Sequence, residues 1–308
     1  MSETAGKPPD KTMGETMGEI VGAGLLSHAP TIMLPEAQRR ALNDGKEISL
    51  VPGLQRLRGE LFAPLKADAV IVFDTHWFTT VEFIISAQQR RRGAYTSDEL
   101  PRGMAQVEYD MAGDPALAEA LAAGVRAAGV KCIACDDPHL PVHYPTVNLA
   151  HFLNRGDGEA WLSVGICQTA QDHNFLAVGD AIGRAVAAAD KRVILIASGG
   201  LSHQFWPLDE LESHEASDPA HIITAAARRA DEQRIAWWQD GEHARVIDAM
   251  DDYRRHKPEG KFGHYLMLVG ALGGRACRAK GRLFSDYENA TGTGQVHVWF
   301  DRPDNGWG

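Results

Sequence analysis

The sequence contains few cysteines and no apolar run long enough to cross a membrane. Four cysteines in 308 residues are too few for a disulfide framework, and this favours a reducing, cytoplasmic location. Cys132 and Cys135 form a CxxC pair inside a predicted strand. No second cysteine pair completes a zinc site, so we interpret both as buried thiols. No apolar run approaches the ~18–20 residues of a membrane helix, so no membrane partner is predicted.

Several catalytic and nucleotide-binding motifs are absent as well. The sequence has no HExxH, Walker A, GxSxG or strand-linked GxGxxG motif. Their absence removes support for a zincin, a P-loop protein, a serine hydrolase and a dinucleotide-binding protein. The GTG at residues 292–294 is by itself only a weak phosphate-loop signal.

Basic charge is sparse and scattered along the chain. There are 31 Lys+Arg against 41 Asp+Glu, which gives a formal net charge of −10. Because no long basic block is present, nucleic acid is not predicted as a partner. The one short basic cluster, residues 90–92, is predicted to lie in a solvated loop.

The composition indicates one globular domain behind a short tail. The first 18 residues are polar and lack the apolar segment of a secretory signal, so residues 1–18 are predicted to form a flexible N-terminal tail. Hydrophobic residues make up 44% of the chain, which is ordinary for a globular protein. The composition does not shift sharply after the tail, and residues 19–308 are therefore predicted to be a single domain.

Short apolar runs alternate with Ala-rich helical stretches. This alternation predicts an α/β fold with a mostly parallel or mixed central sheet flanked by helices. Two polar stretches, residues 88–110 and 251–263, are predicted to form part of a lid. The predicted strands are residues 20–26, 69–73, 81–85, 130–134, 161–166, 193–197 and 296–300, and the predicted helices are residues 115–128, 176–189 and 218–239.

Three of the thirteen histidines directly follow predicted strands. His28, His76 and His203 come after the first, second and sixth strands in chain order. Ligands of open α/β sheets bind outside the carboxyl ends of the strands, so these side chains should share one rim. A lone histidine at a strand end is usually structural. Three at equivalent positions favour a metal or catalytic cluster.

A metal site needs a third ligand besides two histidines. Two histidines and one carboxylate hold iron in non-haem Fe(II) oxygenases and zinc in hydrolytic sites. Glu288, just before a Gly-rich turn and the last strand, is the preferred candidate, and Asp286 is its near competitor. Asp74 lies two residues before His76 and is better placed to orient a neighbour.

At these residues the sequence resembles the class III (LigB-type) extradiol ring-cleavage dioxygenases, most strongly the homoprotocatechuate branch. The resemblance covers roughly residues 19–300. No single motif identifies the family, but the six motifs in this order along the chain are specific to it. The segments that carry it are GKEIS (45–49), VIVFDTHW (70–77), AYTSDELP (94–101), SGGLSHQF (198–205), MLVGALG (267–273) and GTGQV (292–296).

The resemblance implies Fe(II) held by two histidines and one glutamate. The family's histidines map to His28 and His76, and its glutamate before the final Gly-rich turn maps to Glu288. In the register of the homoprotocatechuate branch an acid falls at Asp286 instead. The family's acid–base histidine maps to His203.

The resemblance is weaker around the predicted substrate ring. Where the homoprotocatechuate branch has Glu-Tyr-Gly-Thr, this chain has His-Tyr-Pro-Thr at residues 143–146. His143, Tyr144 or His139 is therefore expected to take the place of the family's second histidine. Trp77 and His264 are further candidates for the substrate pocket.

The resemblance implies that the chain opens the ring of a catecholic aromatic acid with O2. Examples are 3,4-dihydroxyphenylacetate and lignin-derived catechols, and Arg102 is a candidate partner for a substrate carboxylate. Relatives assemble into dimers or larger, so a homo-oligomer is expected. A zinc hydrolase with the same triad and a non-catalytic LigB-like subunit are the alternatives. The histidines interpreted as structural or surface residues are His151, His173, His214, His221, His243, His256 and His297.

Overall fold

The computed structural model describes residues 17–308, and residues 1–16 lie outside the described part. The tail predicted over residues 1–18 falls almost wholly on residues outside this range and stays a prediction. The strands are β1 Glu19–Leu26, β2 Ala69–Thr79, β3 Phe83–Ser86, β4 Arg90–Tyr95, β5 Val107–Ala112, β6 Cys132–Cys135, β7 Ala160–Cys167, β8 Arg192–Ser198, β9 Lys280–Leu283, β10 Glu288–Ala290, β11 Thr293–Gln295 and β12 His297–Asp301.

Within the described residues, ten strands form one mixed sheet. Its main path runs β4-β5-β7-β2-β8-β1-β12-β9, and β3 joins β6 to β7. The central strands β7, β2, β8 and β1 are parallel neighbours, whereas β12 runs antiparallel to β1. The predicted mostly parallel or mixed sheet is confirmed. Because the central strands are parallel, β1, β2 and β8 end at the same edge of the sheet.

Helices cover both faces of the sheet. A long helix begins at Asp172, directly after Gln171, whose side chain and that of Asn174 form a capping box. None of the helices in residues 17–308 is long and apolar enough to span a membrane. The helices are α1 Glu36–Leu42, α2 Leu50–Leu57, α3 Ala63–Leu65, α4 Pro115–Ala127, α5 Tyr144–Leu153, α6 Asp172–Ala188, α7 Ala225–Gln239, α8 His243–Asp248, α9 Met250–Tyr253 and α10 Gly263–Ala271.

The core consists of two apolar layers on opposite faces of the sheet. Side chains alternate between faces along a strand, so Ile71 and Phe73 of β2 pack beneath α6 and α10, while Val70 and Val72 pack beneath α2 and α5. Both faces of the central strands are apolar, as expected of parallel strands covered by helices. This double burial makes the sheet a rigid support for groups at its carboxyl edge.

Three predictions about local structure are corrected. The basic cluster at residues 90–92 lies in β4 rather than in a loop, and Arg91 is buried, donating to Ser163 Oγ (3.0 Å) and to the Trp161 carbonyl (2.8 Å). Burial lowers the pKa of Arg91 to about 10.

The helix predicted from residue 218 begins at Ala225, because the Thr224 side chain caps it by accepting a hydrogen bond from the Ala227 amide. The polar stretch 88–110 contains the antiparallel β4–β5 pair.

We expect His243 to make the fold less stable in mild acid. Its Nδ1 lies 2.9 Å from the Tyr265 hydroxyl and its Nε2 lies 2.8 Å from the Ala279 carbonyl. Burial lowers the pKa of His243 to about 4, whereas the unfolded chain titrates near 6.5. The unfolded state therefore binds more protons below pH 6.5, and the free energy of unfolding falls as the pH drops from 6.5 towards 4. Between pH 7 and pH 5 the loss is about 2 kcal/mol.

Urea unfolding of His243→Gln at the two pH values measures this effect. Glutamine also offers a donor and an acceptor but does not titrate, so the variant should lose less stability between pH 7 and pH 5 than the unchanged protein. The exposed His173 supplies the control, and His173→Gln should retain the full pH dependence. Equal pH dependence in His243→Gln and the unchanged protein would contradict the expectation.

Candidate metal centre

His28 lies just beyond the end of β1. The β1–β8 ladder closes with Leu26 paired to Ser198, and the next residue, Ser27, turns out of the sheet to donate from its hydroxyl to Gln295 Oε1 (2.6 Å). The Asn148 side chain holds the His28 carbonyl (2.9 Å). His28 Nδ1 lies 3.0 Å from Ser198 Oγ.

Ser198 fixes the tautomer of His28. The Ser198 hydroxyl donates to the Pro145 carbonyl (3.2 Å), so its oxygen is left to accept the Nδ1–H of His28. Nε2 then presents a lone pair to Glu259 Oε1, 3.2 Å away. Two acceptor atoms that face each other at this distance are stabilised by a cation shared between them.

His76 lies on a bulge of β2. The pairing of β2 with β7 changes register between Asp74 and Phe78, and its ladder with β8 stops at Asp74. Asp74 Oδ1 accepts from the amides of His76 (3.1 Å) and Trp77 (3.2 Å) in place of a neighbouring strand. A bulge redirects side chains relative to the sheet. Asp74 therefore orients His76 and does not itself join the cluster.

Glu259 comes from a left-handed turn rather than from a strand end. Gly260, Lys261 and Phe262 have φ values of 53°, 59° and 62°, a conformation that non-glycine residues rarely adopt. The Glu259 amide donates to the Leu201 carbonyl (3.0 Å), and Pro258 forms a β-bridge with Ser202. The turn thereby fastens the carboxylate to the segment that follows β8.

The structure brings His28, His76 and Glu259 together. Each offers a ligand atom, and these atoms lie within 4.8 Å of one another. Glu259 Oε1 is 3.2 Å from His28 Nε2 and 3.5 Å from His76 Nε2. Two imidazoles and one carboxylate converging in this way fit a divalent transition metal.

The protein fixes both oxygens of the Glu259 carboxylate. Thr75 Oγ1 donates to Oε1 and the Gly200 amide donates to Oε2, both at 2.5 Å. Burial would raise the pKa of this carboxyl, but its interactions with the adjacent imidazoles of His28, His203 and His76 hold the pKa well below the usual range. Glu259 is therefore an anion inside the protein, as a metal ligand must be.

Neither Glu288 nor Asp286 takes the position predicted for the third ligand. Glu288 begins β10 and is buried, but its Oε1 accepts the Ser49 amide (2.6 Å) at the N-terminus of α2, where a carboxylate is favoured. Asp286 is exposed, and its amide donates to Ser49 Oγ (2.8 Å). The carboxylate beside His28 and His76 is instead Glu259, in the stretch 251–263 interpreted from the sequence as part of a lid.

His203 faces the cluster from the segment after β8. Its Nε2 is 3.9 Å from Glu259 Oε2, and its side chain is 24% exposed. The preceding Ser202 donates from its hydroxyl to the buried Asp231 (2.7 Å), which also accepts from Tyr253 and Tyr287. Burial lowers the pKa of His203, so the ring is neutral at neutral pH. Asp231 thus anchors the backbone next to His203.

The other predicted pocket residues divide into two groups. Tyr144 reaches the cluster, with its hydroxyl 2.7 Å from His76 Nε2, and burial raises its pKa. His143 stacks on Trp77 at 6.2 Å between ring centroids, away from the cavity described below. His139 is exposed. His264 is buried behind Gly199, where an added Cβ would lie 2.8 Å from its Nε2.

The cluster forms the inner end of a cavity of about 700 Å³. His28, His76 and Glu259 line its buried part together with Tyr144 and His203. This size lies within the range of small-molecule binding sites. The carboxyl edge of the sheet therefore carries a concave site with two histidines and one carboxylate at its base.

Removing the Ser198 hydroxyl is expected to weaken metal binding. Ser198→Ala frees the His28 ring and its Nδ1–H, so the affinity for a divalent metal should fall by roughly 10–100-fold, as for other hydrogen-bond partners of metal ligands. Competition with a chelator measures this affinity directly. Ser213→Ala, at an exposed hydroxyl elsewhere, should leave it unchanged. Unchanged affinity in Ser198→Ala would contradict the assigned role of this hydrogen bond.

Comparison with known proteins finds similarity to dioxygenases. The chain is 27% identical over 266 residues to 3,4-dihydroxyphenylacetate 2,3-dioxygenase of Escherichia coli, covering 83% of this chain and 91% of that protein. It is 26% identical over 246 residues to the 2-aminophenol 1,6-dioxygenase alpha subunit of Pseudomonas sp, covering 79% of this chain and 87% of that subunit.

A solved structure supports the fold independently. An uncharacterized protein from Escherichia coli K12 superposes with a TM-score of 0.61 at 17% identity, covering 91% of this chain and all of the other. The family described as the catalytic LigB subunit of aromatic ring-opening dioxygenase matches residues 22–301. This chain therefore belongs to the LigB family of aromatic ring-opening dioxygenases.

Proposed function

We propose that this chain is an Fe(II)-dependent extradiol dioxygenase that opens the ring of a catechol with O2. The observation that carries the proposal is the convergence of His28, His76 and Glu259 at the base of the cavity. Two histidines and one carboxylate on one side of a metal are the donor set of non-haem Fe(II) oxygenases. When bound, Fe(II) supplies a redox-active centre with open positions at which a catechol and O2 are oriented together.

His203 is the proposed acid–base group. A catechol must lose a hydroxyl proton as it binds, and a proton must be returned later in the reaction. The imidazole lines the cavity beside Glu259 and is neutral at neutral pH because burial lowers its pKa. It can therefore accept the first proton and return it later.

Tyr144 is the proposed hydrogen-bond donor on the other side of the site. Its phenol lies 2.7 Å from His76 Nε2 and 3.2 Å from Glu99 Oε2. Because burial raises its pKa, the phenol keeps its proton at neutral pH and can donate it to a substrate oxygen in place of Glu99. Tyr144 thus takes the place for which His143 and His139 were also considered from the sequence.

Reconstitution tests the proposed reaction. Metal-depleted protein is loaded with Fe(II) without O2 and then given O2 with 3,4-dihydroxyphenylacetate, a methoxylated lignin-derived catechol, alkylcatechols and 2-aminophenol. We expect a yellow ring-opened product heavier by two oxygen atoms, detected by absorbance and mass. Stoichiometric iron without product from any member of the panel would contradict the proposal.

Metal analysis separates the proposal from its alternatives. Stoichiometric zinc with iron-independent hydrolysis would indicate a hydrolase that uses the same triad. A non-catalytic subunit would bind no metal at this site, but all three donors are present in this chain. The aromatic-acid substrate, the homo-oligomeric state and the cytoplasmic location stay predictions, and the acid is included in the panel for that reason.

A further inference from the structure

The cavity is lined by polar side chains at its buried end and by apolar side chains at its exposed end. The base holds the polar groups His28, His76, Tyr144, His203 and Glu259. The mouth is built from large apolar side chains, among them Phe78, Leu100, Phe205, Trp206, Leu208 and Leu211. A ligand bound here places its polar atoms at the base and its remaining part against an apolar surface.

The apolar mouth is unusual for this protein's surface. Phe78, Leu100, Phe205 and Leu208 are 50%, 48%, 60% and 85% exposed. They make up half of the large hydrophobic residues exposed within residues 17–308, and all four line this one cavity. Large apolar side chains gathered around a concave site mark a surface that binds an apolar group.

The wall offers no arginine or lysine partner for a negatively charged substituent. No arginine or lysine is present among the described residues that line the cavity. Arg102, the candidate from the sequence, is exposed and is not part of this wall. Besides Glu259, the one carboxylate among the described lining residues is Glu99, 54% exposed, which carries the wrong sign to bind an anionic substituent. A buried carboxylate without a cationic partner is costly.

The volume leaves room for a sizeable substituent. About 700 Å³ exceeds what a bare catechol fills. With the two ring oxygens at the base, the ring position opposite them points towards the mouth and its apolar side chains. A substituent there gains free energy by burying apolar surface, roughly 25 cal/mol for each Å².

We propose that the preferred substrates are catechols with an uncharged, apolar alkyl or aryl substituent, rather than aromatic acids. This inference rests on the proposed function, since it specifies the substrate class of the same site. A site shaped for an apolar group discriminates against an anionic one because that charge must lose water without gaining a cationic partner. The substituent lies against Phe205 and Leu208.

Three catechols of similar size that differ in the charge of the substituent test the proposal. They are propylcatechol, which is neutral, dihydroxyphenylpropionate, which is an anion, and dopamine, which is a cation. We expect kcat/KM for propylcatechol to exceed that for the acid at least tenfold. Calorimetric titration of the Fe(II)-loaded protein without O2 should show the same order in Kd, which separates binding from turnover. A preference for the acid, or equal values, would overturn the proposal. A preference for dopamine would overturn it in favour of Glu99 as the recognition group.

A charged variant at the mouth provides the second test. Leu208 is 85% exposed, so Leu208→Arg should fold normally and place a cation where the substituent is expected. It should raise kcat/KM for the acid relative to propylcatechol at least threefold. Ile133→Arg, at an exposed position on β6 away from the cavity, is the matched control and should leave the ratio unchanged. An unchanged ratio in Leu208→Arg would overturn the placement of the substituent.

The two proposals fail in different ways. Ring opening with a preference for the acid would leave the dioxygenase activity in place and remove only the assignment of an apolar substrate. Absence of ring opening with every catechol, despite stoichiometric Fe(II), would remove the proposed function, and the substrate assignment would fall with it.

Discussion

Glu259→Gln is expected to abolish stable iron binding and nearly all ring opening. Glutamine keeps the shape of the side chain but has a single acceptor oxygen, so it can accept from Thr75 or from Gly200 and not from both. It also lacks the negative charge that faces His28 and His76. Removing a hydrogen-bond partner of a metal ligand lowers activity by roughly 10–100-fold. Because Glu259 is itself a proposed ligand, its loss should lower kcat by more than this. Iron content after anaerobic loading and the rate of ring opening measure the two effects.

Glu288→Gln is the matched control for this experiment. Glu288 is also a buried glutamate, but its carboxylate accepts the Ser49 amide at the start of α2. The variant should bind iron stoichiometrically and retain activity within a few-fold, because a neutral amide can still accept this hydrogen bond. Loss of iron in Glu288→Gln together with full iron in Glu259→Gln would reverse the assignment of the third ligand.

His203→Gln is expected to lower kcat by roughly 10²–10⁴-fold, the range for loss of a general acid–base group. Its Nε2 lies 3.9 Å from Glu259 Oε2, beside the cluster but outside the group of three ligand atoms. Iron content and the anaerobic affinity for a catechol should therefore change little. This division between lost turnover and retained binding distinguishes proton transfer from a structural role.

His256→Gln is the control for His203→Gln. The His256 carbonyl accepts the His203 amide (3.4 Å), and this backbone contact survives a change of the side chain. Activity should remain within a few-fold of the unchanged protein. If His203→Gln retained full kcat, or if it lost iron together with activity, the acid–base assignment would be wrong.

The parallel centre of the fold could be predicted because its strands are apolar on both faces. β1, β2, β7 and β8 appear in the sequence as mostly apolar runs rich in Val, Ile and Leu. The structure confirms each of them within one residue at either end, apart from β2, which continues through a bulge to Thr79. The β4–β5 pair was missed because β4 is Arg-rich and mostly exposed, and the short alternation of Val107, Tyr109 and Met111 with acidic residues in β5 was not recognised.

Two of the three residues of the candidate metal site could be predicted for the same reason. His28 and His76 meet because strands that run parallel end at one edge of the sheet, and that edge can be inferred from the apolar runs. Glu259 follows no strand and no periodic pattern. Its position depends on a left-handed turn and on long-range pairing with residues 201 and 202. Its only local signal was an acid between Pro258 and Gly260 in a polar stretch.

The pairing of Leu201 and Ser202 with Pro258 and Glu259 has a consequence for building chimeras of related enzymes. This pairing joins two segments that are far apart in the chain, residues 198–203 and 258–262. Together they carry the Glu259 carboxylate and the proposed acid–base histidine, His203. A chimera must therefore take both segments from the same parent enzyme, because either segment alone would have to pair with a segment of different sequence. The segment 205–211, which carries Phe205 and Leu208, lies outside these two segments and is the natural one to vary when substrate range is to be changed.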